Sequence, residues 1–248
     1  MNTTLITGRK PLLEALEQGK TIEKIYVLHG TRGPVIDSIF RLAKNRGIPI
    51  RQTPKDRFQS ITKGHEAQGV AGVIGQVVYL EIEDLIERTL PMTDAVLLIL
   101  DEIEDPHNLG ALLRSALSFG VVGVIIPKHH AATVNQTVIK TSAGAALSIP
   151  ITRIANIAQT VIALQENGFT VVGLDAEAPD SLAEIPDTGR IALVIGNEGK
   201  GIRRLVKQKC DTLVRIPMSG TFESLNASVA GAIVMYDVMR RRSKDSAG

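Results

Sequence analysis

The chain has 248 residues, 44% apolar and 22% charged, with one cysteine and eight aromatic side chains. That length accommodates one large domain or two small ones, and the composition excludes a disordered chain, a collagen-like rod and a disulfide scaffold. The formal net charge of +2 is uneven: residues 1–80 carry 12 Lys/Arg against 6 Asp/Glu, residues 81–90 are net −3, and residues 91–248 are net −1. A basic N-terminal third fits either a polyanion-binding module or a solvated face with no partner. Cys210 has no disulfide partner and reads as a small, partly buried hydrophobe of a reducing compartment. The opening MNTTLITGRKPLLEAL lacks the apolar core of a signal peptide, and no stretch approaches the ~18 apolar residues of a membrane span, so a cytoplasmic protein is expected.

In chain order, IEKIYVLHG, VIDSIFRLAKNRG, IPIRQT and GVAGVIGQVVYL alternate strand-like and helical patterns. They predict a small α/β domain over residues 1–80. Residues 81–93, charged, weakly helical and closed by Pro91, are expected to be a linker. AVLLILDE (residues 95–102) is a near-continuous apolar run of the kind a parallel strand covered on both faces requires, and it opens a second domain, 94–248. VVGVIIP, FTVVGLD, IALVIG and TLVRIP follow, separated by helical segments such as IANIAQTVIALQENG. The fold class is therefore α/β, with a mostly parallel C-terminal sheet and helices on both faces. The tail MRRRSKDSAG is expected to fray after Arg242.

Ligands of open α/β sheets bind outside the carboxyl ends of the strands, which directs attention to three loops. In DPHNLGALLRSA (residues 105–116), Leu109, Leu112, Leu113, Ala116 and Leu117 have helical spacing, so a helix is expected to begin near Asn108 and stop at Gly120. Asn108 is then a helix cap or a site group, and Arg114, on the polar face, is a solvated residue or a site group. VIGNEGKG (residues 194–201) runs from a strand into a glycine turn whose backbone a ligand could approach closely. It fails as a phosphate loop, because Ile202 and Arg203 follow where Lys and Ser/Thr are needed. It also fails as a dinucleotide fingerprint, because Gly199-Lys200-Gly201 leads to Arg204. Glu198 is a turn residue or a carboxylate aimed at a site.

IPMSGTFESLNASVAGAI (residues 216–233) places Ser224, Asn226 and Ser228 ahead of VAGAIVMYDVM, which is apolar or small on nearly every face and so is expected in the core or a subunit interface. Ser224 or Asn226 caps that helix or serves a site, and Arg240, Arg241 and Arg242 suit its negative end. The five histidines include no H-x-x-x-H pair, and no G-x-S-x-G elbow occurs, so neither a metal site nor a catalytic serine is expected.

The three loops read, in order, N-L-G-x-x-x-R, G-N-E-G-x-G and I-P-M-x-G-x-x-x-S-L-N-x-S-V-A. This ordered triple resembles the three motifs of the SpoU (TrmH) family of RNA ribose methyltransferases, within the SPOUT superfamily, over residues 97–242. ITGRKPLLEAL (residues 6–16) and AQGV (residues 67–70) resemble the substrate-binding domain that precedes the catalytic domain in some members, among them those that methylate a guanosine in the peptidyl-transferase region of 23S rRNA. The resemblance implies S-adenosylmethionine as methyl donor, a homodimer with active sites at its interface, and a trefoil knot through the segments of the second and third motifs. It also implies that Asn108, Arg114, Glu198, Ser224 and Asn226 form the catalytic set, and that Ile195, Gly196, Ile216, Met218 and Leu225 contact the cofactor. A tRNA substrate, or a non-catalytic RNA-binding relative, is the alternative.

Arginine, with a pKa above ~12, is a poor base near neutrality, whereas its fork suits phosphate. Arg114 is therefore expected to bind and polarise a phosphate and the 2′-hydroxyl rather than to abstract the proton. Arg9, Lys10 and Arg32 of the basic domain are expected to hold RNA phosphates, with base stacking a minor contributor given eight aromatics.

Overall fold

The computed structural model describes residues 5–20, 22–64, 66–74, 77–219 and 224–245. The chain divides into two compact units, Met1–Val77 and Val78–Gly248.

The first unit runs β1 (Leu5–Thr7), α1 (Arg9–Glu17), β2 (Ile22–Leu28), α2 (Pro34–Asn45), β3 (Ile50–Thr53), α3 (Lys55–Thr62) and β4 (Val70–Ile74). Its sheet order is β1-β4-β2-β3, with β2 and β3 parallel and β4 antiparallel to both its neighbours. Leu12 and Leu16 of α1 and Ile36 and Ile39 of α2 pack with Ile25 and Val27 of β2 in one core. Phe58 of α3, with Ala67 and Ala71, forms a separate cluster against Tyr26 and Leu28. Because strand side chains alternate between faces, β2 serves both clusters.

The second unit opens with β5 (Tyr79–Leu80) and α4 (Ile82–Thr89). These occupy the stretch expected as a linker, and the structure corrects that reading. β5 pairs in parallel with β8 (Ile151–Ile154), and α4 buries Leu85 and Ile86 against Leu97, Ile125 and Ile154. Ile82, Leu85, Ile86 and Thr89 share one helical face, a narrow stripe that the intervening acids conceal in the sequence. The boundary accordingly lies at Val77/Val78.

The remaining elements are β6 (Ala95–Leu100), α5 (Pro106–Ser118), β7 (Gly123–Pro127), α6 (Gln136–Thr141), α7 (Ile157–Glu166), β9 (Phe169–Leu174), β10 (Asp180–Ser181), β11 (Arg190–Ile195), α8 (Arg204–Lys207), β12 (Thr212–Arg215) and α9 (Ala227–Asp245). They complete an eight-stranded sheet of order β10-β12-β9-β11-β6-β7-β8-β5 in which every pairing is parallel. All six residues of β6 are buried. Leu97 and Ile99 face a core completed by α4, α7 and α8. On the other face α5 packs against both α6 and α9, and Gly231 of α9 lies against Leu112 of α5 and Ile195 of β11.

In α9, Val234, Met235 and Val238 are buried while Val229, Ile233 and Tyr236 are exposed, so within one chain its apolar surface is only half covered. The helix continues past Arg242, the expected fraying point, to Asp245; residues 246–248 of the expected frayed tail lie outside the described residues. What holds it there is Arg241, which pairs with Asp237 and Asp187 and donates to the Ile185 and Leu182 carbonyls at 2.7 and 3.2 Å. Arg242 adds a bond to the Gly189 carbonyl at 2.9 Å.

Cys210 packs against the main core, its Sγ donating to the Val206 carbonyl at 3.4 Å. Burial, with Asp211 and Asp101 adding to it, pushes the thiol up to about 12 from its ordinary 9.0. Only thiolate attacks a disulfide reagent, so the folded protein at pH 8.5 is expected to resist one that labels it fully in denaturant. Because the folded value lies above the unfolded one, this thiol's contribution to stability is intact below pH 9 and is lost as pH rises toward 12. Cys210→Ala should flatten the alkaline limb of a stability–pH curve; an unchanged limb would contradict this account.

Candidate active site

Parallel strands deliver the loops after β6, β9, β11 and β12 to one end of the sheet. β6 and β11 run side by side, with Leu100 opposite Ile195. The loop leaving β11 folds back on itself: Asn197 and Gly201 exchange backbone bonds of 3.1 and 2.8 Å, and Asn197 Oδ1 accepts from the Gly199 amide at 2.9 Å. It is then clipped to β6. Asn197 Nδ2 donates to the Glu102 carbonyl at 3.0 Å. Asp101, with no exposed side-chain surface, accepts from Arg203 Nε at 2.8 Å and Nη2 at 2.7 Å, and from the Arg203 amide at 2.8 Å.

This clip is asymmetric, since the Arg203 side chain is 43% exposed. Arg203→Met strands a buried carboxylate and is expected to cost about 3 kcal/mol. Asp101→Asn frees a guanidinium that water can solvate, and should cost about 1–2 kcal/mol. Urea unfolding at constant slope measures both, and equal losses would refute the assignment.

The helix carrying the first motif begins at Pro106, not at Asn108. Asp105 is its cap, its Oδ1 accepting from the His107 amide at 3.0 Å, and Pro106 at the first position has no N–H to leave unpaired. Asn108 is thereby free to act from the first turn, and its Nδ2 donates to Glu198 Oε1 at 2.7 Å. Asn226 caps α9 and also joins this cluster. Its Oδ1 accepts from the Ser228 amide at 2.9 Å and the Val229 amide at 3.3 Å, capping α9. Its Nδ2 donates to Asn108 Oδ1 at 3.1 Å and to Glu198 Oε1. Three loops thus converge on one carboxylate oxygen, and Glu198 Oε2 makes no bond among the described residues.

Beside this cluster is a cavity of about 640 Å³, lined by Ile195, Gly196, Glu198, Ile216, Met218, Ser224 and Leu225. All five residues expected to contact a cofactor are there. Leu174 at the end of β9, with Asp175, Ala176 and Glu177 of the loop that follows, adds to the wall, with Lys207 paired to Asp175. The sequence reading missed this fourth loop, although FTVVGLD is an apolar run ending in a polar residue like the others. Residues 220–223 of the third motif lie outside the described residues.

Arg114 is not brought to the cavity: it is exposed on α5, and its guanidinium has no partner among the described residues. In the first unit Lys10 and Arg32 are exposed. Arg9, by contrast, donates from Nε to the Gln68 carbonyl at 3.0 Å and from Nη1 to the Arg32 carbonyl at 3.5 Å, joining two loops. Among the described residues no group of three or more His, Cys, Asp or Glu is placed to hold a metal, and no helix is long and apolar enough to cross a membrane.

Residues 95–236 match the model of the SpoU rRNA Methylase family, and residues 5–80 that of the RNA 2′-O ribose methyltransferase substrate-binding domain. The chain is 38% identical over 239 residues to the TrmH-family protein YacO of Bacillus subtilis, covering 96% of each. It is 40% identical over 243 residues to a TrmH-family protein of Staphylococcus aureus, covering 98% of each. Among solved structures, the SpoU methyltransferase AviRb of Streptomyces viridochromogenes in complex with AdoMet is similar at a TM-score of 0.68 and 23% identity, over 97% of this chain and 91% of that one. The A. aeolicus TrmH/SpoU tRNA modifying enzyme is similar at 0.57 and 24%, over 66% of this chain and 86% of that one. The chain belongs to the SpoU (TrmH) family of RNA 2′-O-ribose methyltransferases, with the family's substrate-binding domain ahead of its methylase domain.

Proposed function

We propose that the protein is a cytoplasmic, homodimeric enzyme that methylates a ribose 2′-hydroxyl of RNA from S-adenosylmethionine, its target a guanosine in the peptidyl-transferase region of 23S rRNA. The observation that carries this reading is the convergence of Asn108, Glu198 and Asn226 beside a cavity walled by the loops at the carboxyl end of the sheet. The cavity fits the cofactor. Its volume of about 640 Å³ is in the range of small-molecule sites, Ile195, Ile216, Met218 and Leu225 offer apolar surface, and exposed loop backbone offers hydrogen bonds. When bound, the cofactor supplies an electrophilic methyl on a sulfonium.

The chain's own residues must align the hydroxyl and ease the loss of its proton. Glu198, pinned through Oε1, presents Oε2 as an acceptor, and Ser224 adds a hydroxyl at the cavity wall. Arg114 supplies a fork for the phosphate and the 2′-oxygen. It stands one helical turn from Leu117, which is exposed along with Val229, Ile233 and Tyr236, and the Tyr236 ring meets Phe119 edge-on at 5.8 Å. A second copy covering this apolar face would bring another subunit's cavity to Arg114.

The basic first domain, net +6 over residues 1–80, and its match to a substrate-binding model support an RNA substrate recognised largely by phosphates. Transfer of labelled methyl to unmodified 23S rRNA, mapped by resistance to alkaline cleavage, tests the reading. One protected guanosine supports it; transfer to tRNA alone moves the substrate, and no transfer to either RNA by cofactor-bound protein leaves the non-catalytic alternative.

A further inference from the structure

The loop after β7, KHHAATVN (residues 128–135), is fixed at both ends. The Lys128 amide donates to the Ile154 carbonyl at 2.7 Å, and the Lys128 carbonyl accepts from Arg153 Nη2 at 2.9 Å. Further on, the Ala132 amide donates to the Ile103 carbonyl at 2.8 Å, and the Val134 amide to Tyr79 Oη at 3.3 Å. Between these anchors Lys128, His129 and His130 are all exposed, and none forms an ion pair among the described residues. His130 is held at φ 54°, so the three are presented on a sharp, anchored turn.

This turn lies on the site's end of the sheet. β7 runs parallel to β6, and the Ala132–Ile103 bond joins their loops. α6, which Asn135 caps, packs on α5 at Gly110, where an added Cβ would meet Thr141 Cβ at 2.6 Å, two residues beyond Asn108. Of the carboxylates on the adjoining loop, Asp101 and Glu102 are paired with Arg203 and Asp105 caps α5. Glu104 is the one left without a partner among the described residues, and none of these carboxylates forms an ion pair with the turn.

Resting on the RNA-methylation reading, we propose that Lys128, His129 and His130 form an RNA-binding ridge on the methylase unit itself, gripping backbone phosphates that flank the target nucleotide. Lysine suits phosphate as a point charge, and each imidazole carries an N–H donor in either protonation state. The ridge's ammonium and imidazole N–H groups are donors that phosphate oxygens satisfy whatever the sequence, and the two imidazoles are the rings that it could lay on an unpaired base. It therefore supplies grip and register rather than sequence choice.

The test is the variant Lys128→Gln/His129→Gln/His130→Asn, in which Asn tolerates the left-handed position. Relative to the wild-type protein, KM for RNA is expected to rise about tenfold, with the salt slope shallower by about 0.7 for each single-strand phosphate that is no longer neutralised. S-adenosylmethionine affinity and thermal midpoint should stay unchanged, which excludes misfolding; Lys128→Glu alone should act in the same direction. Lys209→Gln, ahead of β12 at the far end of the sheet, should change nothing. Anisotropy with the same RNA reads the ridge independently of turnover. A wild-type protein that binds RNA but methylates none overturns the methylation reading, whereas a ridge variant that binds as tightly as wild type, with the same salt slope, overturns the ridge.

Discussion

Gly196→Ala is expected to abolish cofactor binding while leaving the parallel sheet folded. A Cβ at this position would lie 2.2 Å from the Gly201 carbonyl carbon, 2.3 Å from the Ile202 amide nitrogen and 2.4 Å from the Gly201 oxygen. All three are backbone atoms, and they cannot retreat, because Asn197 and Gly201 are bonded to each other and Arg203 is fastened to buried Asp101. The variant must open the loop instead. Overpacking of this kind costs about 1–3 kcal/mol, and the opened loop takes with it part of the cavity wall. Calorimetry should show S-adenosylmethionine affinity falling at least about a hundredfold, or ~2.7 kcal/mol. Gly199→Ala is the control, since its Cβ would meet nothing closer than Asn197 Oδ1 at 3.7 Å. Wild-type affinity in Gly196→Ala would refute this account of the loop.

Gly196 also marks the limit of what the sequence conveys. A glycine after a buried strand reads as room for a ligand, yet here the closest atoms belong to the same loop as it turns back, an approach no local pattern encodes. The legible strands, such as AVLLIL and IALVI, are buried on both faces and therefore uninterrupted. β8, with Thr152 and Arg153 at its centre, and β10, two residues long, carry too little apolar signal to be found, while β5 is concealed at the end of the run GVAGVIGQVVYL. The same holds within the site. That Asn108, Glu198 and Asn226 each follow a strand is readable; that they share one oxygen, across 90 and 118 residues of chain, is a product of strand order. Asp101 reads as an ordinary loop acid because the arginine that permits its burial is 102 residues away.

Arg114→Ala is expected to lower methyl transfer by about 10²–10⁴-fold, in the range of a missing transition-state interaction, with S-adenosylmethionine affinity unchanged because Arg114 is not part of the cavity wall. Arg114→Lys keeps the charge and loses the fork, so it should recover little; full activity in that variant would sink the phosphate-and-hydroxyl role. Where the guanidinium acts can be settled by mixing subunits. If Arg114 serves the partner's site, a heterodimer of Arg114→Ala with Glu198→Ala contains one site with both residues intact, so two inactive proteins mixed and reassorted at random should regain about a quarter of wild-type activity. If Arg114 serves its own chain's site, every site in the mixture is damaged and no activity returns. The exposed Leu117 on the same face of α5, and the Val229, Ile233 and Tyr236 stripe of α9, favour the first outcome. Tyr236→Glu, which places a charge on that stripe, should then yield a monomer by light scattering and prevent the recovery. A monomeric wild-type protein with full activity would exclude the shared site altogether.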